Sequence, residues 1–280
     1  MISVVSTELS KALRNPWLFI SLAIGCMLAI LSAWQYVPIY EFTPDSGRFY
    51  YPDSQGCFQS WMSLSATSAP MLFYQLLPLL AVTPYACSLA SEFKDGYIAQ
   101  TYTRTSRGAY LAAKYIAVGI SAGLVAVLPQ VLNLVFLACV HPAYLPNVTM
   151  AMYYGGVFWD NIGSWFYYNV PILYVALYCG IDFALCGLWA CFVLSLSLLI
   201  RNRVLLLTLP YLGLLALAFV NERIFFALGG IRGFDLSLFE NLHGFLSAYR
   251  QDGWIILAEC FVLALLSVGI LALFRKRDVL

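Results

Sequence analysis

Charged residues are scarce in this sequence. Only 10% of its 280 residues are Asp, Glu, Lys or Arg, whereas ordinary soluble domains carry roughly 25%. Hydrophobic residues make up 62% of the chain, and the mean hydropathy is +0.81. A water-soluble protein with so little charge could not cover its surface. The composition therefore predicts an integral membrane protein.

Motifs that carry catalysis or bind cofactors are also missing. No lysine follows a glycine, so there is no phosphate-binding P-loop, and H-E-x-x-H does not occur. The only histidines are His141 and His243, and no Cys/His cluster has metal-ligand spacing. We therefore expect no enzyme activity, no bound metal and no directly bound cofactor. The net charge of +1 gives no indication of a nucleic-acid partner, and we expect none.

Eight cysteines are present, and none forms a C-x-x-C pair. Most lie in apolar stretches, where cysteine behaves as a small hydrophobic residue. Cys57 and Cys139 are the two that fall near the predicted outer surface. The sequence leaves open whether they form a disulfide.

Long apolar stretches recur along the chain, and a membrane-spanning helix needs about 20 such residues. Lipid offers no hydrogen-bond partner to bare backbone, and the short alternating segments of a barrel are missing, so these stretches predict helices. The expected fold is all-α and integral to the membrane, with six transmembrane helices in one domain, residues 1–280. The six predicted spans cover residues 17–34, 70–91, 115–140, 171–200, 204–220 and 254–274.

The basic residues indicate the orientation of these spans. If the N-terminus is cytoplasmic, eleven of the fifteen Lys and Arg residues lie inside, and only Arg48, Arg223, Arg232 and Arg250 lie outside. Positive charge favours the cytoplasmic side, so the sequence predicts a multi-pass protein of the cell membrane with both termini in the cytoplasm. An odd number of spans would remove this asymmetry.

Three further segments flank the spans. Residues 1–15 place Ile2, Val5, Leu9 and Leu13 at helical spacing, which predicts an amphipathic helix on the inner membrane surface; the alternative is a plain cytoplasmic lead-in. Residues 141–170 and 221–253 are too aromatic and apolar for ordinary loops. We expect both to form interfacial or re-entrant helices at the outer leaflet.

A polar stretch separates the second span from the third. Phe93, Tyr97 and Thr101 fall one helical turn apart, so an aromatic stripe lies on one side of a short helix. Such a helix can dock into a groove on a partner protein. The alternative is a basic loop that only fixes the membrane topology.

The same stretch carries a family resemblance. Glu92-x-x-x-Gly96, then Arg104-Thr105-Ser106-Arg107, Tyr110 and Lys114 resemble the signature of the type-2 ABC exporter permeases. The amphipathic N-terminus, the six-span layout and the Arg275-Lys276-Arg277-Asp278 ending extend the likeness over essentially the whole chain. The long aromatic segment 141–170 departs from many members of the family.

The resemblance implies a transport function that depends on other subunits. Residues 92–110 would form a cytoplasmic coupling segment, with a helix from Glu92 to about Tyr102, that docks on a separate ATPase subunit holding ATP and Mg²⁺. A second permease copy or a homologous permease would complete the complex in a bacterial plasma membrane. The substrate would be amphipathic: a peptide, a lipid-like molecule or a drug. The implied docking residues are Glu92, Phe93, Lys94, Gly96, Tyr97, Thr101, Arg104 and Arg107.

Polar residues inside the predicted spans are candidates for a translocation path. Asp182 lies within the fourth span, where a charged side chain is costly and usually faces protein or water. Gln130 and Asn133 lie in the middle of the third span. The alternative for Asp182 is a neutral carboxyl bonded to a neighbouring helix. For the two amides, the alternative is inter-helix hydrogen bonding, which is the more common use of such residues.

Two other function classes stay open. One is a membrane scaffold or immunity protein that binds a partner and transports nothing. The other is a polytopic membrane enzyme, which the missing acid–base set disfavours.

Overall fold

The computed structural model describes residues 2–36, 56–95, 101, 103, 105–146, 157, 161–200, 202–221, 223, 237–244 and 251–274. Within these ranges the regular structure is helical and contains no strand, as the sequence predicts. The α-helices in chain order are α1 Ile2–Leu13, α2 Pro16–Trp34, α3 Ser68–Val82, α4 Ser88–Lys94, α5 Arg107–Val140, α6 Ser164–Asn169, α7 Pro171–Leu196, α8 Arg203–Val220, α9 Leu238–Leu242 and α10 Gly253–Phe274.

Five of these helices are long and apolar enough to cross a membrane: α2, α5, α7, α8 and α10. Their bounds lie close to those predicted for five of the six spans, although α5 begins eight residues earlier than expected. The chain is therefore built as a multi-pass membrane protein.

The stretch predicted as the second span is not one continuous helix. The 15-residue helix α3 ends at Val82, turns follow, and α4 begins at Ser88. Pro84 lies at the break, where it has no backbone N–H with which to continue the helical hydrogen bonds. At about 1.5 Å per residue, α3 is roughly 22 Å long, which is less than the ~30 Å of a bilayer core.

Side-chain caps fix the start of two long helices. The Asn15 side chain accepts a hydrogen bond from the backbone of Trp17 at 3.1 Å, and Pro16 occupies the first turn of α2. The Asn202 side chain does the same for Val204 at 3.0 Å. Both caps satisfy backbone donors that a helix start leaves unpaired.

Helix α7 lies at the centre of the bundle. It packs against α5, α10, α3 and α6, while α2 packs against α5 and α3, and α1 packs against α5. In its most apolar 18-residue stretch, 56% of the α7 residues are buried, compared with 11% in α8 and 17% in α10. Small residues let α5 and α7 approach closely, since a Cβ on Gly187 would lie 3.2 Å from the carbonyl oxygen of Gly119.

The two aromatic segments each contain a short helix, α6 in 141–170 and α9 in 221–253. Much of both segments lies outside the described residues. The possible disulfide is not formed: Cys57 is buried, Cys139 is exposed, and both are free thiols.

Candidate functional site

The polar stretch after α3 contributes to a group of buried charges, which we call the charge cluster. It lies where α1, the turn after α3, α4 and the first turns of α5 meet. Its members are Glu8 and Lys11 from α1, Tyr85 from the turn, Glu92 from α4, and Tyr110 and Lys114 from α5.

Lys114 is the centre of this cluster, and its side chain is completely buried. Its Nζ donates a hydrogen bond to the carboxylate of Glu92 and lies 3.5 Å from Oε2 of Glu8. The Tyr110 hydroxyl also donates to Glu92. One lysine thus joins two carboxylates that come from distant parts of the sequence.

Glu8 is held by two hydrogen-bond donors in addition to its ion pair with Lys114. Its side chain is 3% exposed, its Oε1 lies 2.7 Å from Nζ of Lys11, and its Oε2 accepts from the Tyr85 hydroxyl at 2.8 Å. Burial alone would raise the pKa of Glu8, but the charge of Lys114 and the hydrogen bonds from Lys11 and Tyr85 outweigh it and lower that pKa. Glu8 therefore stays ionised in the folded protein.

The formal charges of the cluster balance, with two lysines opposite two glutamates. The rings of Tyr85 and Tyr110 add to this, since their centroids lie 5.3 and 5.1 Å from Nζ of Lys114. Buried charges are tolerated in proteins when they are paired and hydrogen-bonded, and this cluster meets both conditions.

The predicted coupling helix from Glu92 to about Tyr102 is not continuous, because α4 begins at Ser88 and ends at Lys94. Thr101 is again helical, and residues 96–100 and 102 lie outside the described residues. Glu92 turns inward to Lys114, and Phe93 packs against the main hydrophobic cluster, so neither presents its side chain as a simple exposed docking surface.

The remaining predicted docking residues follow α4 in the chain. Thr101 is partly buried, and its carbonyl accepts hydrogen bonds from Thr105, while Arg107 is exposed at the start of α5. Gly96, Tyr97 and Arg104 lie outside the described residues, as does the side chain of Lys94.

Sequence reasoning missed Glu8, because the apolar positions Ile2, Val5, Leu9 and Leu13 leave it on the other, polar face of the predicted helix. The buried face of α1 instead includes Glu8 and Ala12, and Leu13 is 36% exposed. A signal was present: Glu8 lies three residues after Val5 and four before Ala12, so all three share one face of the helix.

The three predicted path residues are all fully buried; Gln130 and Asp182 meet between α5 and α7, whereas Asn133 faces α2. Gln130 donates from Nε2 to the Asp182 carboxyl, and its backbone carbonyl accepts from Trp61 Nε1 at 3.2 Å. Asn133 donates to the carbonyl of Ala29 in α2 at 2.8 Å and accepts from the backbone of Met62 at 3.0 Å. In this arrangement the amides hold helices together, which is the alternative that the sequence left open.

Among the described residues, no group of three or more His, Cys, Asp or Glu side chains is placed to hold a metal ion. Comparison with known proteins gave no match: no family model, curated protein or solved structure corresponds to this chain. The family resemblance therefore rests on the residues of the sequence itself.

Proposed function

We propose that this chain is the membrane-spanning permease subunit of an ABC exporter, driven by a separate ATPase subunit that holds ATP and Mg²⁺. The proposal includes six spans, with α3 as the short one, an interfacial α1 and cytoplasmic termini in a bacterial plasma membrane. The observation that carries it is the charge cluster, which ties the predicted coupling region to both α1 and α5.

A cytoplasmic loop that only sets topology has no need of a buried ionic network. Here Glu92, near the end of α4, is attached through Lys114 to a helix that packs along the centre of the bundle. A push on α4 would therefore reach α5 and, through the close α5–α7 contact, the core. Packed elements of this kind transmit displacement as rigid bodies, which a transport cycle driven from outside the membrane requires.

The docking face follows from which side chains remain exposed. Among the described residues between α4 and the first turn of α5, Asp95, Thr103, Ser106 and Arg107 are exposed. We propose that this polar edge, together with Lys94, Gly96, Tyr97, Thr101 and Arg104, contacts the ATPase. Glu92 and Phe93 would then position the face from behind.

Three further parts of the proposal rest on the family resemblance: an amphipathic substrate, a second permease copy and re-entrant outer segments. The two most exposed spans, α8 and α10, offer apolar surface to lipid or to a second permease. An amphipathic substrate suits the aromatic side chains at the opposite end of the bundle from α1, such as Trp165 and Phe166, which are exposed.

The test is co-purification with an ATPase encoded by a neighbouring gene. The Arg107→Glu variant should lose the co-purified ATPase and its vanadate-sensitive ATP hydrolysis, because it reverses one charge on the docking face. Arg223→Glu, an exposed arginine after α8, is the matched control and should retain both. If Arg107→Glu binds and activates like the wild type, this face is not the contact.

The second candidate is a membrane scaffold or immunity protein without transport. The contact of Gln130 with Asp182 favours it, because it closes the middle of the α5–α7 interface in this arrangement. A stable complex whose ATP hydrolysis is absent or unaffected by the permease would support this candidate over the exporter.

A further inference from the structure

Asp182 is the isolated acidic side chain of the described core. It lies eleven residues into the 26-residue helix α7, close to its middle, and it is 0% exposed. The charge cluster at the end of the bundle makes no use of it. The groups that stabilise a carboxyl in the middle of a buried helix must therefore be found elsewhere.

The donors around Asp182 are few. Gln130 on α5 donates from Nε2 to Oδ2, while Oδ1 has no hydrogen-bond partner among the described residues. No described lysine, arginine or histidine forms an ion pair with it.

The titratable groups that face Asp182 are all neutral hydroxyls and thiols at ordinary pH. Tyr74 approaches from α3, and Tyr178, Cys179 and Cys186 approach from α7 itself. Beyond Tyr74 lies His243, whose ring stacks on it with centroids 4.5 Å apart and hydrogen-bonds the carbonyl of Ser65 at 3.1 Å. None of these groups supplies a positive charge to a carboxylate at Asp182.

An ionised carboxylate needs several donors or a cation when water is excluded, and a single amide supplies neither. A carboxylic acid has lower requirements, because the group that carries the proton is neutral. A metal ion is a poor occupant, since one carboxyl and one amide leave most of its coordination positions unfilled.

We propose that Asp182 is a proton-binding site, with the proton on Oδ1 and Gln130 donating to Oδ2. The carboxyl is enclosed by the α5–α7 contact in this arrangement. A conformational change that separated the two helices would expose it to water and release the proton. Protonation of Asp182 and closure of the α5–α7 interface are therefore linked, whatever the chain transports.

Polar groups extend from the opposite end of the bundle from α1 to within one helical turn of this site. An open cavity there is lined by Asn161, Gln251 and Trp254, among others. Tyr178, one helical turn before Asp182, donates its hydroxyl hydrogen to Oε1 of Gln251. The proton thus has hydrogen-bonding groups from the cavity wall to within one turn of Oδ1.

Infrared spectroscopy of the purified full chain in lipid at neutral pH tests the proposal directly. The wild type should show the carbonyl stretch of a protonated carboxyl, and Asp182→Asn should lack it. Glu259→Gln is the control, because Glu259 is only partly buried and accepts from Asn241 at 2.8 Å; it should keep the band. A wild type without the band, or a band that survives in Asp182→Asn, would overturn the proposal.

A second variant keeps the test decisive if Asp182→Asn does not fold. Gln130→Met removes the amide donor and leaves the carboxyl in place. If Asp182 carries the proton, the band persists and moves to higher frequency, because its hydrogen bond is lost. An unmoved band would mean that the protonated group is another residue, and the proposal would be wrong.

The route is tested by transfer into deuterated buffer, which shifts the same band as the proton exchanges. Tyr178→Phe should slow this shift severalfold relative to the wild type, and Tyr115→Phe, which removes a hydroxyl bonded to Ser195 away from the cavity, should leave its rate unchanged. Equal exchange rates in the two variants would contradict entry through the Tyr178–Gln251 contact. Neither measurement depends on an ATPase partner, so a failure of the exporter proposal would leave this one standing.

Discussion

The charge cluster and Asp182 are two solutions to the same problem of placing acidic side chains where water is excluded. In the cluster, Glu8 and Glu92 share Lys114, and tyrosine hydroxyls complete their hydrogen bonds. Asp182, near the middle of α7, has one amide partner and no cation among the described residues. The acidic side chains at the end of the bundle therefore keep their charge beside a lysine. For Asp182 at the centre, we propose instead that protonation removes the charge.

The two sites also connect different parts of the fold. The cluster joins α1, α4 and α5, so it couples the region that would meet a partner to the body of the bundle. The Gln130–Asp182 contact joins α5 to α7, the central pair of helices. Helix α5 is the shared element, and it runs from one site to the other. Variants that distinguish a charged site from a neutral one therefore test whether the charge cluster and Asp182 differ in this way.

The largest effect is expected for Lys114→Met. It leaves two buried carboxylates beside each other without their common cation, and breaking a buried ion pair costs about 3–5 kcal/mol. Denaturant unfolding in detergent should show a loss of this size. The matched control is Lys11→Met, whose lysine is 36% exposed and should contribute less than about 1 kcal/mol.

A rescue experiment sharpens the same prediction. Adding Glu8→Gln and Glu92→Gln to Lys114→Met removes the unpaired charges and should recover most of the lost stability. If Lys114→Met alone is as stable as Lys11→Met, the cluster is not ionic in the way the geometry indicates.

Glu92→Gln should have the next largest effect. Lys114 keeps Glu8 as a counter-ion, but its ion pair with Glu92 is lost and the Tyr110 bond to Glu92 becomes a neutral one. Since a hydrogen bond to a charged group contributes about 1.5–3 kcal/mol, we expect a loss of that size. Asp95→Asn, three residues later and exposed, is the control and should stay within about 0.5 kcal/mol of the wild type. Equal losses in the two variants would argue against the inward position of Glu92.

A smaller, pH-dependent effect is expected at Glu8. Its pKa is lowered from the ordinary value of 4.5, so its ionised form stabilises the attachment of α1 above that value, and the stabilisation is lost as the pH falls through the lower folded pKa. Amide hydrogen exchange in α1, corrected for the intrinsic pH dependence, should reveal this release on acidification. In Glu8→Gln the acid step should be absent, and an unchanged step would assign it to another carboxyl.

Much of the helical layout could be predicted from the sequence because apolar length is a local property. The five long helices follow from uninterrupted apolar stretches, and the start of α2 follows from Asn15-Pro16. The break after Val82 was missed, although Pro84 is visible in the sequence, because α3 and α4 together still have the composition of one span.

The site could be predicted only in part because its contacts are non-local. The sequence located Lys114 and Glu92 as polar residues near the membrane boundary, but their pairing with Glu8 depends on how α1 lies against α5. Glu92 was expected to face outward because a short amphipathic helix has two faces, and only tertiary packing decides which one is buried. For Gln130 and Asp182, the sequence indicated that both lie within predicted spans, and the fold supplied the contact between them.

The smallest effect on stability is expected for Asp182→Asn. This variant tests whether Asp182 is neutral in the folded protein. A protonated carboxyl and an amide have nearly the same shape, and the carbonyl oxygen of the introduced amide could still accept from Gln130, so the unfolding free energy should change by less than about 1 kcal/mol. Asp182→Leu removes that acceptor, leaves the Gln130 amide short of a partner, and should cost about 1–3 kcal/mol. If Asp182→Asn instead lost as much stability as Lys114→Met, Asp182 would be a paired carboxylate, and the distinction between the two sites would disappear. If Asp182→Asn and the wild type have nearly the same unfolding free energy, the carboxyl at the centre of α7 needs no counter-ion because it carries no charge.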